Sequence, residues 1–421
     1  MGTSASGFGF PEAEEYLLGL ELFGMRFGLD RMHKLMTVLG LPQRRFASIH
    51  VVGSNGKSST VRMIAAILER HGLRTGSYTS PHLRTFAERV EVGERPLPEP
   101  AFAAAVARAA HAAELVNRTL ADDDEVTQFE ALTAAAYHAL ASSGVEVAVI
   151  EAGLGGRYDA TNVIPSKVQV LTTVGLEHTR WLGPTIEDIA REKLAVVRDH
   201  ATLVTGRLEP EAEAVAREVA AARHASHVEV TEPWRGPLGP RGEFQRSNFA
   251  VAAAAAEAFF ASPAQSMHVL RALDAAAVRR AAVEVRIPGR LEAIADSPLT
   301  LIDGAHNPDG ARALAQALAG QRFTGVVAIL DDKDAAAMLT ELLPLFDSVV
   351  FTRSANPRSL SPATLQSLAG QLDGPPSEIV TDPKRALERA RQLGLPVLAT
   401  GSIYLIADLV RERRDARAST L

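Results

Sequence analysis

Ile49-His50-Val51-Val52-Gly53-Ser54-Asn55-Gly56-Lys57-Ser58 is the stretch that decides how this 421-residue chain folds. An apolar β-branched run enters a glycine loop, and Ser59 to His71 then takes helical periodicity with Gly72 as its stop. The order strand, loop, helix is that of a phosphate-binding loop. Glycines let backbone N–H groups turn inward on an anion, Lys57 offsets charge on the outer phosphates, and Ser58 offers a hydroxyl to magnesium. The strict spacing would place a glycine at Val51, so the loop is a variant. A tight strand-to-helix turn is the plainer reading, but the lysine and the hydroxyls of Ser58 and Ser59 favour bound phosphate. Gly53, Ser54, Asn55, Gly56, Lys57, Ser58 and Ser59 are therefore the expected nucleotide-binding residues.

Outward from the loop the same logic recurs. Val145–Ile150 is a buried-strand pattern ending at Glu151 and Gly153-Leu154-Gly155-Gly156, and Lys167–Val174 reads as another strand. Helical stretches fall at about Glu99–Val116, Thr127–Ser142 and Glu209–Arg223, and an alanine-rich one starts near Ser247. The acidic patch Asp122–Glu125 reads as a solvated loop, and the proline- and glycine-rich run Glu232–Gly242 as an internal loop. Strands alternating with helices imply a parallel sheet with ligands at the C-terminal strand ends. After Ile287-Pro288-Gly289 a fresh series begins: Leu299–Ile302, helix Asp309–Leu318, Gly325–Leu330 and Asp347–Phe351. The expected fold is α/β, with a mostly parallel P-loop ATPase domain over residues 1–287 and a smaller Rossmann-like domain over 288–421.

Bulk properties narrow the function. A single core rarely grows past about 250–300 residues, so two domains are the natural division. Apolar residues make up 47% and charged residues 22%, enough for sizeable cores. A formal charge of −6 gives no broad basic surface for nucleic acid. With no cysteine, disulfides, thiolate metal sites and cysteine nucleophiles are excluded. The first fifteen residues lack signal-peptide order and no apolar run approaches a membrane span, so a soluble cytoplasmic protein is expected.

Outside the loop, individual residues leave alternatives open. Glu151 closes an apolar strand, where a carboxylate fits either a metal or a helix cap or ion pair. His178, in Gly-Leu-Glu-His, reads as structural or as a general acid before it reads as a magnesium ligand. Lys193 lies in a stretch, Ile189–Val197, that resembles a solvated helix with mixed charges. Asp303-Gly304-Ala305-His306-Asn307-Pro308 follows the first strand of the second series, where turn chemistry alone would explain Gly, Asn and Pro. Arg290 suits phosphate or a surface acid.

Together these segments resemble the folylpolyglutamate synthase and dihydrofolate synthase family, within the Mur-ligase type of ATP-dependent amide ligases. The resemblance spans nearly the whole chain. It is carried by Gly28-Leu29-Asp30-Arg31, the glycine loop, Tyr78-Thr79-Ser80-Pro81-His82-Leu83, Phe86-Ala87-Glu88-Arg89 and Val149 to Val163 (Glu151, then Asp159-Ala160-Thr161-Asn162). Further along come Gly175-Leu176-Glu177-His178, Ala190-Arg191-Glu192-Lys193, Asp303 to Pro308, Asp332-Lys333-Asp334 and Thr400-Gly401-Ser402. The loop departs from the common form at Ser54 and Ser58, Leu194-Ala195 follow Lys193, and Ala328 replaces a frequent glycine.

The resemblance implies that ATP phosphorylates a folate or dihydropteroate carboxylate and that the amine of L-glutamate attacks the acyl phosphate. It implies catalytic roles for Lys57, His178 and Lys193, with Lys57 on the outer phosphates. Ser80 and Glu151 would hold one magnesium ion, and His178 and a carbamylated Lys193 would serve a second. Potassium is an optional further cation. Asn248 would bond adenine, Arg290 and Asp303 would reach the nucleotide from the second domain, and His306 and Ser402 would line the glutamate side. The protein would act as a monomer, without nucleic acid or membrane. Another Mur-type ligase is the nearest alternative, disfavoured because the chain lacks a separate N-terminal UDP-sugar domain. A non-catalytic nucleotide-binding regulator would be expected to have lost some of Lys57, Ser80, Glu151, His178 and Lys193.

Overall fold

The computed structural model describes residues 8–20, 28–262 and 272–411; part of the N-terminal stretch read above for a signal, residues 1–7, lies outside them. Fourteen strands among the described residues build two sheets. The first holds β1 (Ala47–Val52), β2 (Thr75–Tyr78), β3 (Val90–Val92), β4 (Arg95–Pro96), β5 (Val147–Glu151), β6 (Val168–Leu171), β7 (Thr202–Thr205) and β8 (Ser226–Glu229). Their order is β4-β3-β2-β5-β1-β6-β7-β8, parallel except at the β2–β3 and β3–β4 pairs. The second holds β9 (Glu292–Asp296), β10 (Leu299–Ile302), β11 (Phe323–Val327), β12 (Phe346–Phe351), β13 (Ser377–Ile379) and β14 (Val397–Thr400). Its order is β13-β12-β11-β14-β10-β9, and only β9 runs antiparallel. The α/β class with two mostly parallel sheets is thus as the alternation implied.

β1 lies between β5 and β6, where successive crossovers turn in opposite directions, and that is where an open parallel sheet makes a crevice. Both of its faces are covered: Ile49 and Val51 form an apolar face, while the face that carries Val52 also buries Ser48 and His50, whose Nε2 lies 2.8 Å from Thr161 Oγ1. Ile49 and Val51 pack on Val61, Ile64 and Leu68 of helix Lys57–Arg70 and on Phe249 and Ala252 of helix Glu243–Ala261. Val52 faces Leu171, Leu182, Ile189 and Leu194 on the other side. Each such fully buried aliphatic side chain contributes about 1.5–3 kcal/mol. The second sheet has cores of its own, one around Leu301, Val327, Leu339 and Phe351. Leu83, from the first half of the chain, joins Ile302, Val326 and Ile406 in the other, an apolar contact across the cleft.

Several sequence expectations need correction. The strand expected over Lys167–Val174 stops at Leu171, because Thr172 and Thr173 leave the sheet to bond Asn55 in the phosphate loop. The helix expected from Ser59 begins at Lys57, and the alanine-rich one begins at Glu243 rather than near Ser247. The strand expected over Gly325–Leu330 runs Phe323–Val327. Lys193 sits on helix Ile186–Leu194, and its side chain is 2% exposed, not solvated. The acidic patch is partly tied down, since Asp124 pairs with Arg31 at 2.8 Å. The antiparallel strand β9 lacks a clean alternating pattern and was not expected.

Candidate active site

The phosphate loop runs from the end of β1 to the start of helix Lys57–Arg70. Glycine is required at both its ends. Gly53 has φ of +146°, and a Cβ there would stand 2.0 Å from Thr172 Oγ1; Gly56 has φ of +85°, and a Cβ would stand 2.6 Å from Asn248 Oδ1. The loop curls so that Lys57 Nζ donates to the carbonyls of Gly53 (2.8 Å) and Ser54 (3.1 Å). Ser54 Oγ accepts from the Gly175 amide, and Ser59 Oγ accepts from Gln245 Nε2. Asn248 donates to Gln245 Oε1, which holds its amide beside Gly56.

Glu151 closes β5 in register with Val51 of β1, so its carboxylate arrives beside the loop. Oε1 accepts the Ser58 hydroxyl at 2.9 Å and Oε2 accepts the Ser80 amide at 3.1 Å. Burial pushes its pKa up, while Lys57, the Ser80 and Ser58 hydrogen bonds and Arg290 pull the other way. The Glu151 carboxylate and the Ser58 hydroxyl offer oxygens of the kind magnesium takes, and Ser80 lies next to them through its amide. Among the described residues no three His, Asp or Glu side chains converge to hold a metal, so an ion here would draw on hydroxyl and phosphate oxygens as well.

Lys193 Nζ reaches the same loop from the β6 side, donating to Gly53 O at 3.1 Å and to Glu177 Oε1 at 3.0 Å. Burial lowers its pKa, and Lys57 adds to that, whereas Glu177 favours the ammonium. Burial works against ionised Glu177, yet Lys193, Lys57 and His178 together hold its carboxyl well below the usual range. His178 follows in a left-handed conformation (φ +48°), and its pKa is lowered to about 4 by burial and by Lys333, Lys193 and Lys57. It is a neutral imidazole at ordinary pH.

From the second sheet, the turns after adjacent β10 and β14 face this region. Asp303 accepts from the amides of Leu291 and Ala305, both at 2.8 Å; burial raises its pKa, and Arg290 opposes the rise. The Arg290 charge acts on Glu151 from one sheet and on Asp303 and His306 from the other. His306 Nδ1 lies 2.9 Å from Gly304 O, a pure acceptor, so Nδ1 carries the proton and Nε2 is the acceptor. Its pKa falls to about 4, first through burial and then through Arg290. Ser402 accepts from the Tyr404 amide at 3.2 Å and so caps helix Ile403–Val410.

The structure thus gathers Gly53 to Ser58, Ser80, Glu151, His178 and Lys193 about one loop and brings Arg290 within electrostatic reach of it. Sequence reasoning passed over Glu177, the ion-pair partner of Lys193, and Lys333, whose charge faces both His178 and His306. Their signal was position: each follows the C-terminal end of a parallel strand.

Residues 51–232 match the model of the Mur ligase middle domain, and residues 289–403 match that of the Mur ligase, glutamate ligase domain. The chain is 37% identical to the dihydrofolate synthase/folylpolyglutamate synthase of Mycobacterium tuberculosis, over 82% of its own length and 78% of the relative's. It belongs to the folylpolyglutamate synthase/dihydrofolate synthase family of Mur ligases. Within that family it is 35% identical to the folylpolyglutamate synthase of Lacticaseibacillus casei, covering 91% of this chain and 93% of the other. Among solved structures, the M. tuberculosis folylpolyglutamate synthase complexed with ADP superposes with a TM-score of 0.87 at 33% identity, over 97% of this ligase and 99% of that chain. A folylpolyglutamate synthase complex with AMPPCP and folate gives 0.79 at 32% identity, over 95% and 98%.

Proposed function

We propose that this ligase joins L-glutamate to the carboxylate of a dihydropteroate or folate substrate at the expense of ATP, releasing ADP and phosphate. The observation that carries the reading is the convergence on one phosphate loop of two lysines, a buried carboxylate and a neutral histidine, with the Asp303–Pro308 turn of the second sheet opposite. We divide the chain at residues 287 and 288, assigning ATP to the first part and glutamate chiefly to the second. It acts as a cytoplasmic monomer on small molecules. Among the described residues no helix is long and apolar enough to cross a membrane.

In the first step a carboxylate oxygen of the pterin substrate attacks the γ-phosphorus of ATP, and ADP leaves. The backbone of Gly53 to Ser58 cradles the phosphates, and Lys57 exchanges its carbonyl partners for their oxygens. Glu151 with Ser58 and Ser80 would hold one magnesium ion and His178 would help hold a second, and such ions would supply charge neutralisation on the transferring group. In the second step the glutamate nitrogen attacks the acyl carbon and phosphate leaves, taking up the proton that the nitrogen sheds. His306 Nε2 accepts a hydrogen bond from that amine and orients it. Arg290 and Asp303 hold the nucleotide from the second side, Asn248 meets adenine beyond Gly56, and Ser402 bounds the glutamate site. Closure of the two parts excludes water from an acyl phosphate that hydrolyses easily.

Lys193 presents a separate question, because a carbamate needs the free amine. Burial raises the amine fraction, and the Glu177 contact lowers it. A carbamate beside Glu177 would set two anions together, so the arrangement fits that modification only with a second cation between them. The defining experiment measures ATP-dependent incorporation of labelled glutamate with dihydropteroate and, separately, with tetrahydrofolate monoglutamate. Incorporation with neither overturns the reading and favours a Mur-type ligase for another carboxylate.

A further inference from the structure

Asn55, in the phosphate loop, and Asn307, 252 residues later, exchange two hydrogen bonds across the cleft. Asn307 Nδ2 donates to Asn55 Oδ1 at 3.1 Å, and Asn55 Nδ2 donates to Asn307 Oδ1 at 3.3 Å. Each residue is also fixed on its own side. The Asn55 amide donates to Thr173 Oγ1 at 2.9 Å, and its carbonyl accepts from Thr172 Oγ1 at 2.6 Å. Asn307 Oδ1 accepts from the Gly310 amide at 2.8 Å, capping helix Pro308–Ala317. Close by, Gly175 approaches Asp309 so tightly that a Cβ would stand 2.4 Å from its carboxylate.

A primary amide carries a donor and an acceptor in one rigid plane, so a reciprocal pair fixes mutual rotation as well as distance. A carboxylate has no donor, and a hydroxyl donates and accepts through a single rotatable atom, so neither would fix the rotation. Because Asn307 follows His306 directly and begins the helix behind it, the pair ties the position of the glutamate-side turn to the position of the phosphate loop.

We propose that Asn55 and Asn307 form a latch that sets the second sheet's site turn on the phosphate loop, and that the Asn55 side chain is a positioning group and not a phosphate contact. The kinetic part of this inference rests on the ligase reading; the geometric part does not. The pair serves the amine-attack step, in which an acyl carbon held by one part must meet a nitrogen held by the other. Misplacement of reacting atoms by about 1 Å can cost as much as 100-fold in rate.

The test uses the full chain with Asn55→Ala, Asn307→Ser and the double variant. Serine still caps the Gly310 amide but is too short to reach Asn55. Each single variant should lower kcat for glutamate incorporation roughly 10- to 100-fold with KM for ATP nearly unchanged, and the double should be no worse than the weaker single. Additive losses, or losses confined to KM for ATP, overturn the latch, as does a lowered Tm with kcat retained. Because the chain contains no cysteine, spin labels on Ala222→Cys and Gln371→Cys report the distance between the two sheets without background. That distance distribution should broaden in both single variants; an unchanged distribution overturns the proposal. If the unmodified chain incorporates no glutamate, the ligase reading fails while the distance measurement still decides the latch.

Discussion

Lys57 and Lys193, on opposite sides of β1, both donate to the carbonyl oxygen of Gly53, at 2.8 and 3.1 Å. One loop carbonyl thereby sets the spacing of two ammonium groups. Burial first and then the Lys57 charge lower the Lys193 pKa, and both lysines hold the Glu177 carboxyl below its ordinary range.

Lys57→Met removes the group that should meet the outer phosphates while keeping the stem packed. We expect kcat to fall roughly 100- to 1,000-fold, the usual loss for one preorganised electrostatic contact. Steady-state kinetics of phosphate release would show it, and wild-type turnover would sink the assignment.

Glu151→Gln keeps shape and the Ser58 and Ser80 neighbours but loses the charge. The magnesium concentration for half-maximal activity should rise about tenfold or more, as for loss of an anionic oxygen ligand. An unchanged magnesium dependence with lowered kcat would remove Glu151 from the ion.

Lys193→Ala should abolish turnover, and added short carboxylic acids should restore part of it if a carbamate occupies the vacated space. Full activity without rescue would dismiss the carbamate. Lys193→Arg tests the opposite arrangement, a permanent cation paired with Glu177; retention of activity would favour it.

Acid should weaken the fold through three histidines. Burial is the main cause that lowers His178 and His306 to about 4 and His50 to about 3, against an ordinary value of 6.5. The unfolded chain therefore takes up protons below about pH 6.5 when the native chain does not. Stability is full above that pH and is lost as pH falls toward 4. Thermal melts at pH 7.5 and pH 5 should show a clear drop in Tm, and His50→Gln should make the drop smaller. Equal Tm at both pH values would show that these imidazoles are not held neutral.

Much of this was legible in the sequence because parallel strands announce themselves. The buried runs before Gly53, Glu151 and Asp303 by themselves place three site segments at strand ends. Lys193 was not legible in the same way. Its helix carries Glu187, Asp188 and Glu192, which read as solvent-facing, and only the tertiary fold shows the lysine turned inward to Gly53 and Glu177. Asn307 was hidden for another reason: a capping asparagine before proline explains itself locally, so nothing in the turn hints at a partner 252 residues away. At Ser402 the structure adds a local role, since its hydroxyl caps helix Ile403–Val410, and its place beside glutamate stays a proposal.

The position of β1 between β5 and β6, with helix Glu243–Ala261 lying against helix Lys57–Arg70, has a consequence for biosynthesis. The loop sequence leaves the ribosome early, but its supports at Glu151, Thr172, Lys193 and Gln245 follow over nearly two hundred residues of further translation. Contacts so distant in the chain are slow to form. A nascent chain that has emerged only as far as β8 lacks the helix that closes over Ser59, and should gain nucleotide affinity only once residues near Asn248 have been added.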